Sequence, residues 1–134
     1  MSYQKVVVVG NVGSSPEMRY TPGGQAVTNF SVASNRQYVA ASGEKVEETT
    51  WFRVSTWGKL AETCNQHLKS GRQVLVEGRL TPDKDTGGPR VYAKKDGTQA
   101  ASFEITADRV VFLGGGKGEE VEQQPAQDDA AVPF

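Results

Sequence analysis

Hydrophobic and polar positions in this chain alternate mostly with a period of two, the spacing of a strand whose side chains point to opposite faces in turn. Residues 4–12 (QKVVVVGNV) carry a four-valine run and predict a first strand, with Gly10 and Gly13 allowing a bend or bulge. Residues 25–38 predict a second strand, with Thr28, Phe30 and Val32 on one face and Asn29, Ser31 and Ala33 on the other. Residues 49–57 (TTWFRVSTW) are β-branched and aromatic and predict a third. The intervening segments 14–24 and 40–48 read as turns and loops, the latter marked by Ser42-Gly43.

The period then changes. Over residues 58–70, Leu60, Cys64 and Leu68 recur at i, i+4 and i+8 with Ala61 beside them, the stripe of an amphipathic helix closed by Gly71 at its C′ position. Cys64 falls on the apolar stripe and reads as a buried, inert thiol. His67 reads as a surface residue near the helix C-terminus. Residues 72–80 (RQVLVEGRL) predict a fourth strand with a kink or bulge at Gly78, and 102–113 a last one. The Pro- and Gly-rich stretch 81–101 between them is loop-like. Within it, 90–94 and 99–103 are spaced to pair across Asp96-Gly97 as an arm. From Gly114 onward the apolar period vanishes. Residues 1–113 therefore read as one folded domain and 114–134 as a flexible, disordered linker and acidic tail with an apolar tip, Val132-Pro133-Phe134.

Composition sharpens this division. A hydrophobic fraction of 37% is low for a compact domain of 134 residues, in keeping with a tail outside the core. The net charge of −1 hides an asymmetry: 1–116 hold 14 basic and 11 acidic residues, net +3, whereas 117–134 hold one lysine against five acids, net −4. A mildly basic body suits a phosphate backbone as partner. No run approaches the roughly 20 apolar residues that span a bilayer, and the opening valine run is short for a secretory segment. The expected setting is cytoplasmic, with no membrane partner. A single cysteine and a single histidine offer neither a disulfide framework nor the ligands of a usual metal site, and no cofactor is expected. Glu17, Glu77 and Glu104 show no acid–base pair spacing. Gly10-Asn11-Val12-Gly13 lacks the Gly-Lys-Ser/Thr ending of a phosphate loop. The chain does not read as an enzyme.

Candidate chemistry concentrates on the third strand. Alternation places Phe52, Val54 and Thr56 on one face and Trp51, Arg53, Ser55 and Trp57 on the other. Two flat aromatics roughly 20 Å apart, at about 3.3 Å per residue, flank a fixed positive charge. That is a surface for stacking bases and meeting phosphates. The same nine residues also read as a tryptophan-lined core face with an arginine snorkelling at its edge. The order of elements bears on the choice. Three strands, a helix and two strands is the layout of an all-β OB-fold, a five-stranded Greek-key barrel with one helix between strands 3 and 4. Its oligonucleotide face lies on strands 2 and 3, flanked by the 1–2 and 4–5 loops. The candidate face is the third strand, and Arg19 and Tyr20 lie in the 1–2 connection. Lys59, Arg72, Arg79, Lys94 and Lys95 are candidate phosphate contacts, each equally readable as a solvated charge.

The segments VVVVGNVGSSPEMRYTPGGQAVTNFSVASNR (6–36), TTWFRVSTWGKLAE (49–62), GRQVLVEGRL (71–80) and DDAAVPF (128–134) together resemble the bacterial single-stranded DNA-binding protein family over nearly the whole chain. The resemblance implies an OB-fold homotetramer that wraps single-stranded DNA without regard to sequence. It also implies a nucleoid-associated location and a C-terminal tip, here Asp128, Asp129, Val132, Pro133 and Phe134, that recruits DNA replication, recombination and repair proteins. By motif position it implies stacking by Trp51 and Trp57, by Tyr38 where a tryptophan often stands, and by Tyr92 in the 4–5 loop. The 81–101 segment is longer than the family pattern, the linker shorter and the acidic run sparser.

Overall fold

A computed structural model describes residues 1–113 of the chain. The valine-rich start forms β1 (Val6–Val12), followed by β2 (Glu17–Tyr20), β3 (Ala26–Val39), β4 (Lys45–Trp57), the helix α1 (Gly58–His67), β5 (Gln73–Leu80), β6 (Arg90–Ala93) and β7 (Gln99–Leu113). Five of these strands close a ring. The order runs β1-β5-β7-β4-β3, and β3 returns to β1 through Asn11↔Ala33 and Val12↔Val32. Only β4 and β7 run parallel; the other pairings are antiparallel. This is the five-stranded OB barrel with its helix between the third and fourth barrel strands. The short β2 and β6 lie outside the ring, on β3 and β7 respectively.

Closing so small a barrel demands sharp bends, and glycines supply the room. A Cβ on Gly10 would strike the Ala33 carbonyl where β1 crosses β3, and one on Gly78 would strike the Thr106 carbonyl. At Glu77/Gly78 the β5–β7 register shifts, the bulge that the isolated glycine foretold. Inside the ring, Val8, Val12, Phe30, Val32, Val54, Val74, Val76 and Ile105 form the core, and Cys64 and Leu68 of the α1 segment join it. Each fully buried aliphatic contributes about 1.5–3 kcal/mol. Two threonines are buried as well, and both are satisfied: Thr28 Oγ1 donates to the Ala61 carbonyl at 2.7 Å, and Thr56 Oγ1 to the Thr28 carbonyl at 3.0 Å. The first bond ties α1 to β3 and the second ties β4 to β3.

The strands run beyond their expected ends in three places. Glu17–Tyr20, expected as turn, is a strand paired with Ala26–Asn29 across a hairpin closed by Thr21 and Gln25. Four mostly exposed residues give too short a period to see in sequence. The loop expected over 40–48 shrinks to the Ala40–Glu44 turn, and β4 begins at Lys45. The last strand is continuous from Gln99. The helix is shorter than expected. Leu68 is its C-cap in an extended conformation, and its N–H reaches the Cys64 carbonyl. Gly71 is therefore not the C′ residue. With φ of 89°, it occupies a separate Lys69–Arg72 turn and donates to the Val12 carbonyl at 2.7 Å.

Candidate nucleic-acid interface

β3 and β4 pair without a break from Val27↔Trp57 to Val39↔Lys45. Directly paired residues share a face, so the registers lay out the outer surface of the barrel in rows. Arg19, Val27 and Trp57 form one row. Glu17, Asn29, Ser55 and Thr106 form the next, then Ser31, Arg53 and Glu104, then Ala33 and Trp51. The alternation read from the sequence holds: Val54 and Thr56 are buried, whereas Trp51 and Trp57 stand out at 53% and 42% exposure. No core packing explains so much exposed aromatic surface, and exposed apolar surface of this kind marks contact sites.

Trp51 is seated rather than merely exposed. A Cβ on Gly13 would run into Trp51 Cζ3, and would lie 2.8 Å from Cη2 and 2.9 Å from Ser31 Oγ. The rim of the indole thus rests on the Gly13 backbone. That backbone is itself pinned, its N–H donating to the Ser31 carbonyl at 2.9 Å and its carbonyl accepting from Ser70 Oγ at 3.1 Å. Trp57, six residues along, caps the start of α1, where no side-chain bond closes the cap. Exposed Lys59 follows it in the first turn of α1.

Arg53 reaches toward Glu104, its Nε 4.0 Å from Oε2. The same oxygen lies 3.6 Å from Arg90 Nη1 and accepts from Ser102 Oγ at 3.0 Å. Glu104 therefore joins β4 to the β6–β7 arm. Exposed ion pairs of this kind contribute only about 0.2–1 kcal/mol, so the guanidinium of Arg53 stays available to an anion. Tyr92 shares the strand side of Arg90, whose guanidinium lies 5.9 Å from its ring centroid. Trp57, Trp51 and Tyr92 thus belong to one continuous outer surface with Arg53 and Arg90 between them.

Other candidates fall elsewhere. The pleat turns Tyr38, paired with Val46, to the opposite side of the β3–β4 ribbon from Trp51, and Arg36 covers its ring at 4.6 Å. Tyr20 likewise takes the opposite side of β2 from Arg19. Arg72 accepts at its carbonyl from the Val12 N–H at 2.8 Å, and its guanidinium lies 5.9 Å from the Phe112 ring centroid near the end of β7. Arg79 lies on the outer side of β5, 3.9 Å from Asp108. Lys94 and Lys95 stand exposed in the turn at the tip of the arm. Asp128, Asp129, Val132, Pro133 and Phe134 lie outside the described residues. The sequence reading missed Gly13, Arg36 and Arg90. The basic–aromatic spacings Arg36/Tyr38 and Arg90/Tyr92 were the signal for the last two.

Burial pushes the Cys64 thiol up to about 12, against a weaker opposing hydrogen bond to Thr56, so this cysteine stays protonated and inert. Among the described residues no group of three His, Cys, Asp or Glu side chains is placed to hold a metal ion, and no helix is long and apolar enough to cross a membrane.

The sequence profile of the single-strand binding protein family matches residues 3–113. The chain belongs to this family. It is 40% identical over 115 residues to a single-stranded DNA-binding protein of Neisseria meningitidis, covering 86% of this chain and 62% of that protein. It is 45% identical over 92 residues to single-stranded DNA-binding protein 1 of Chlorobaculum tepidum, covering 66% of this chain and 57% of that one. The chain thus spans about three fifths of the length of these relatives. The barrel also matches the crystal structure of a small single-stranded DNA-binding protein from Streptomyces coelicolor, with a TM-score of 0.68 at 24% identity over 84% of this chain and 96% of that one. A Plasmodium falciparum SSB solved in complex with ssDNA matches with a TM-score of 0.67 at 24% identity, over 85% and 97%.

Proposed function

We propose that this chain binds single-stranded DNA with little dependence on sequence, and that it is a binding protein rather than an enzyme. The observation that carries the reading is the outward row structure of β4. Trp51 and Trp57 offer two stacking plates, with the exposed charge of Arg53 between them, in a chain of the single-strand binding protein family. Stacking tolerates any base because every base has a π-face. Contacts to phosphate carry no sequence information. Arg53, Arg19 and Lys59 are the nearest candidate phosphate contacts, with Arg79, Lys94 and Lys95 at the margins and Tyr92 as a further plate.

The reading extends to assembly and partners. β1 has an open edge over residues 6–10 among the described residues, and its Val7 and Val9 face outward. That edge and face support self-association, in the family's homotetramer. The tip Asp128 to Phe134 combines charge with an apolar end, which suits capture by basic pockets on replication, recombination and repair proteins in a cytoplasmic, nucleoid-associated setting.

One titration series tests the whole reading. The chain, and a variant lacking residues 128–134, are titrated with labelled (dT) oligomer across salt concentrations and against competing RNA of matched sequence. Light scattering on the same samples gives the stoichiometry. Affinity should fall steeply with salt, DNA should out-compete RNA, and the truncated chain should bind DNA as well or better. A flat salt response or preference for RNA sinks the DNA reading. Partner capture that survives the truncation sinks the role of the tip.

A further inference from the structure

Between the two tryptophans the outer face is not flat. A recess of about 250 Å³ opens there, lined by Ser14, Ser15, Glu17, Asn29, Ser31 and Arg53, with Phe30 at its floor. It occupies the two rows between the Trp57 row and the Trp51 row. We infer that this recess takes the edge of a nucleobase, and that Glu17 makes it favour bases with an exocyclic amino group, cytosine over thymine. The inference rests on the single-stranded DNA reading and adds a base preference to it.

The lining sets the carboxylate of Glu17 against the cation of Arg53, so it offers a phosphate no net charge but offers a base edge both an acceptor and a donor. Glu17 places a carboxylate in the recess, which repels a phosphate held close to it. A base edge, by contrast, presents donors and acceptors side by side, and the recess answers both. Glu17 has no ion pair or hydrogen bond among the described residues, so its oxygens are open acceptors. Ser55 Oγ donates to Asn29 Oδ1 at 2.9 Å, which leaves the amide nitrogen of Asn29 as a donor. Ser14 and Ser31 share one hydroxyl bond at 3.2 Å and keep further capacity to donate or accept.

Cytosine and thymine differ at the C4 substituent, at N3, which accepts in cytosine and carries a proton in thymine, and at the C5 methyl of thymine. The C4 substituent is the one Glu17 is inferred to read. Cytosine carries an N4 amino donor where thymine carries an O4 acceptor, and a carboxylate accepts from the first and opposes the second. The remaining acceptors of cytosine fit Asn29 and the serines. The Trp51 and Trp57 plates hold neighbouring bases by stacking, which does not discriminate. The preference is therefore modest and confined to the bases seated between the plates.

The experiment compares two oligomers of equal length, (dC) and (dT), binding to the full chain, to Glu17→Gln and to Glu44→Gln. Glu44 closes the β3–β4 turn, outside the recess. Glutamine both donates and accepts, so Glu17→Gln should lower the affinity for (dC) relative to (dT) by about threefold or more, the size of one hydrogen bond to an exposed charge. Glu44→Gln should leave that ratio at its wild-type value. Repeating the pair at high salt removes long-range repulsion, and the ratio should persist. If Glu17→Gln strengthens (dC) and (dT) equally, Glu17 acts only as a repelling charge and the base pocket is overturned. If the unaltered chain binds neither oligomer, the failure lies with the DNA reading itself.

Discussion

Two outer faces of one small barrel present apolar groups to solvent, and they do so differently. On β3 and β4, Trp51 and Trp57 stand apart, separated by Asn29, Ser31, Arg53 and Ser55. Where β1, β5 and β7 adjoin, Val7, Val9, Leu75 and Val111 lie side by side, and Leu75 is only 1% exposed among its neighbours. The charged border of this second face is already neutralised, with Glu77 held 3.3 Å from Lys5 and 3.1 Å from Arg109. Contiguous aliphatic surface with paired charges resembles the core of a protein–protein interface. Isolated aromatic plates with exposed polar groups between them suit a flexible, charged polymer that must be held and released. The same pleat produces both faces, and the choice of outward residue makes them differ.

The comparison breaks most visibly with Trp51→Ala combined with Trp57→Ala. A stacked base contributes about 1–3 kcal/mol per plate, so (dT) affinity should fall about thirtyfold or more while light scattering reports the unaltered assembly. Unchanged affinity would remove the first face from the account. The second face is challenged by Val7→Glu with Val9→Glu. The expected result is a smaller species on size exclusion that retains its strand signal and still shows quenching of tryptophan fluorescence by short oligomers. A mass identical to that of the unaltered chain would show that this surface is not an interface.

A finer probe acts on one plate only. Gly13→Ala takes the place of the Trp51 rim and presses on Ser31 Oγ beside it. It should weaken (dT) binding by about tenfold, within the worth of one stacked base, and add nothing further in a Trp51→Ala background. Additive losses in the double variant would show that Gly13 acts on DNA by another route. The smallest effect expected is on stability. The thiol of Cys64 is raised by burial, so the folded state disfavours its thiolate, and this contribution is intact below pH 9 and lost as pH climbs toward about 12. Denaturant titrations of Cys64→Ala should show a shallower alkaline decline than the parent chain.

Local periods made much of this legible. The switch from period two to the i, i+4 pattern located the helix, and Gly78 located the bulge. The alternation in TTWFRVSTW placed Trp51, Arg53 and Trp57 together on the outside. Legibility failed where the period was short or a partner lay far away in sequence. Four residues could not announce β2. Gly71 read as a helix cap because its actual role is a bond to Val12, nearly sixty residues earlier. Tyr38 joined the aromatic path on family grounds, and the uninterrupted β3–β4 register puts it on the other side of the ribbon.

The sequence by itself determined the order of the elements and which side chains of each strand face the same way, because both follow from backbone geometry within a few residues. Only the tertiary structure decided what those side chains meet. Closure of β3 onto β1 brought Gly13 beneath Trp51, and the parallel pairing of β4 with β7 brought Glu104 to Arg53. The hairpin of β2 set Glu17 beside Asn29 and so completed the recess. These juxtapositions depend on register between distant strands, and register is fixed by turns, bulges and the closing of the ring rather than by the residues it brings together.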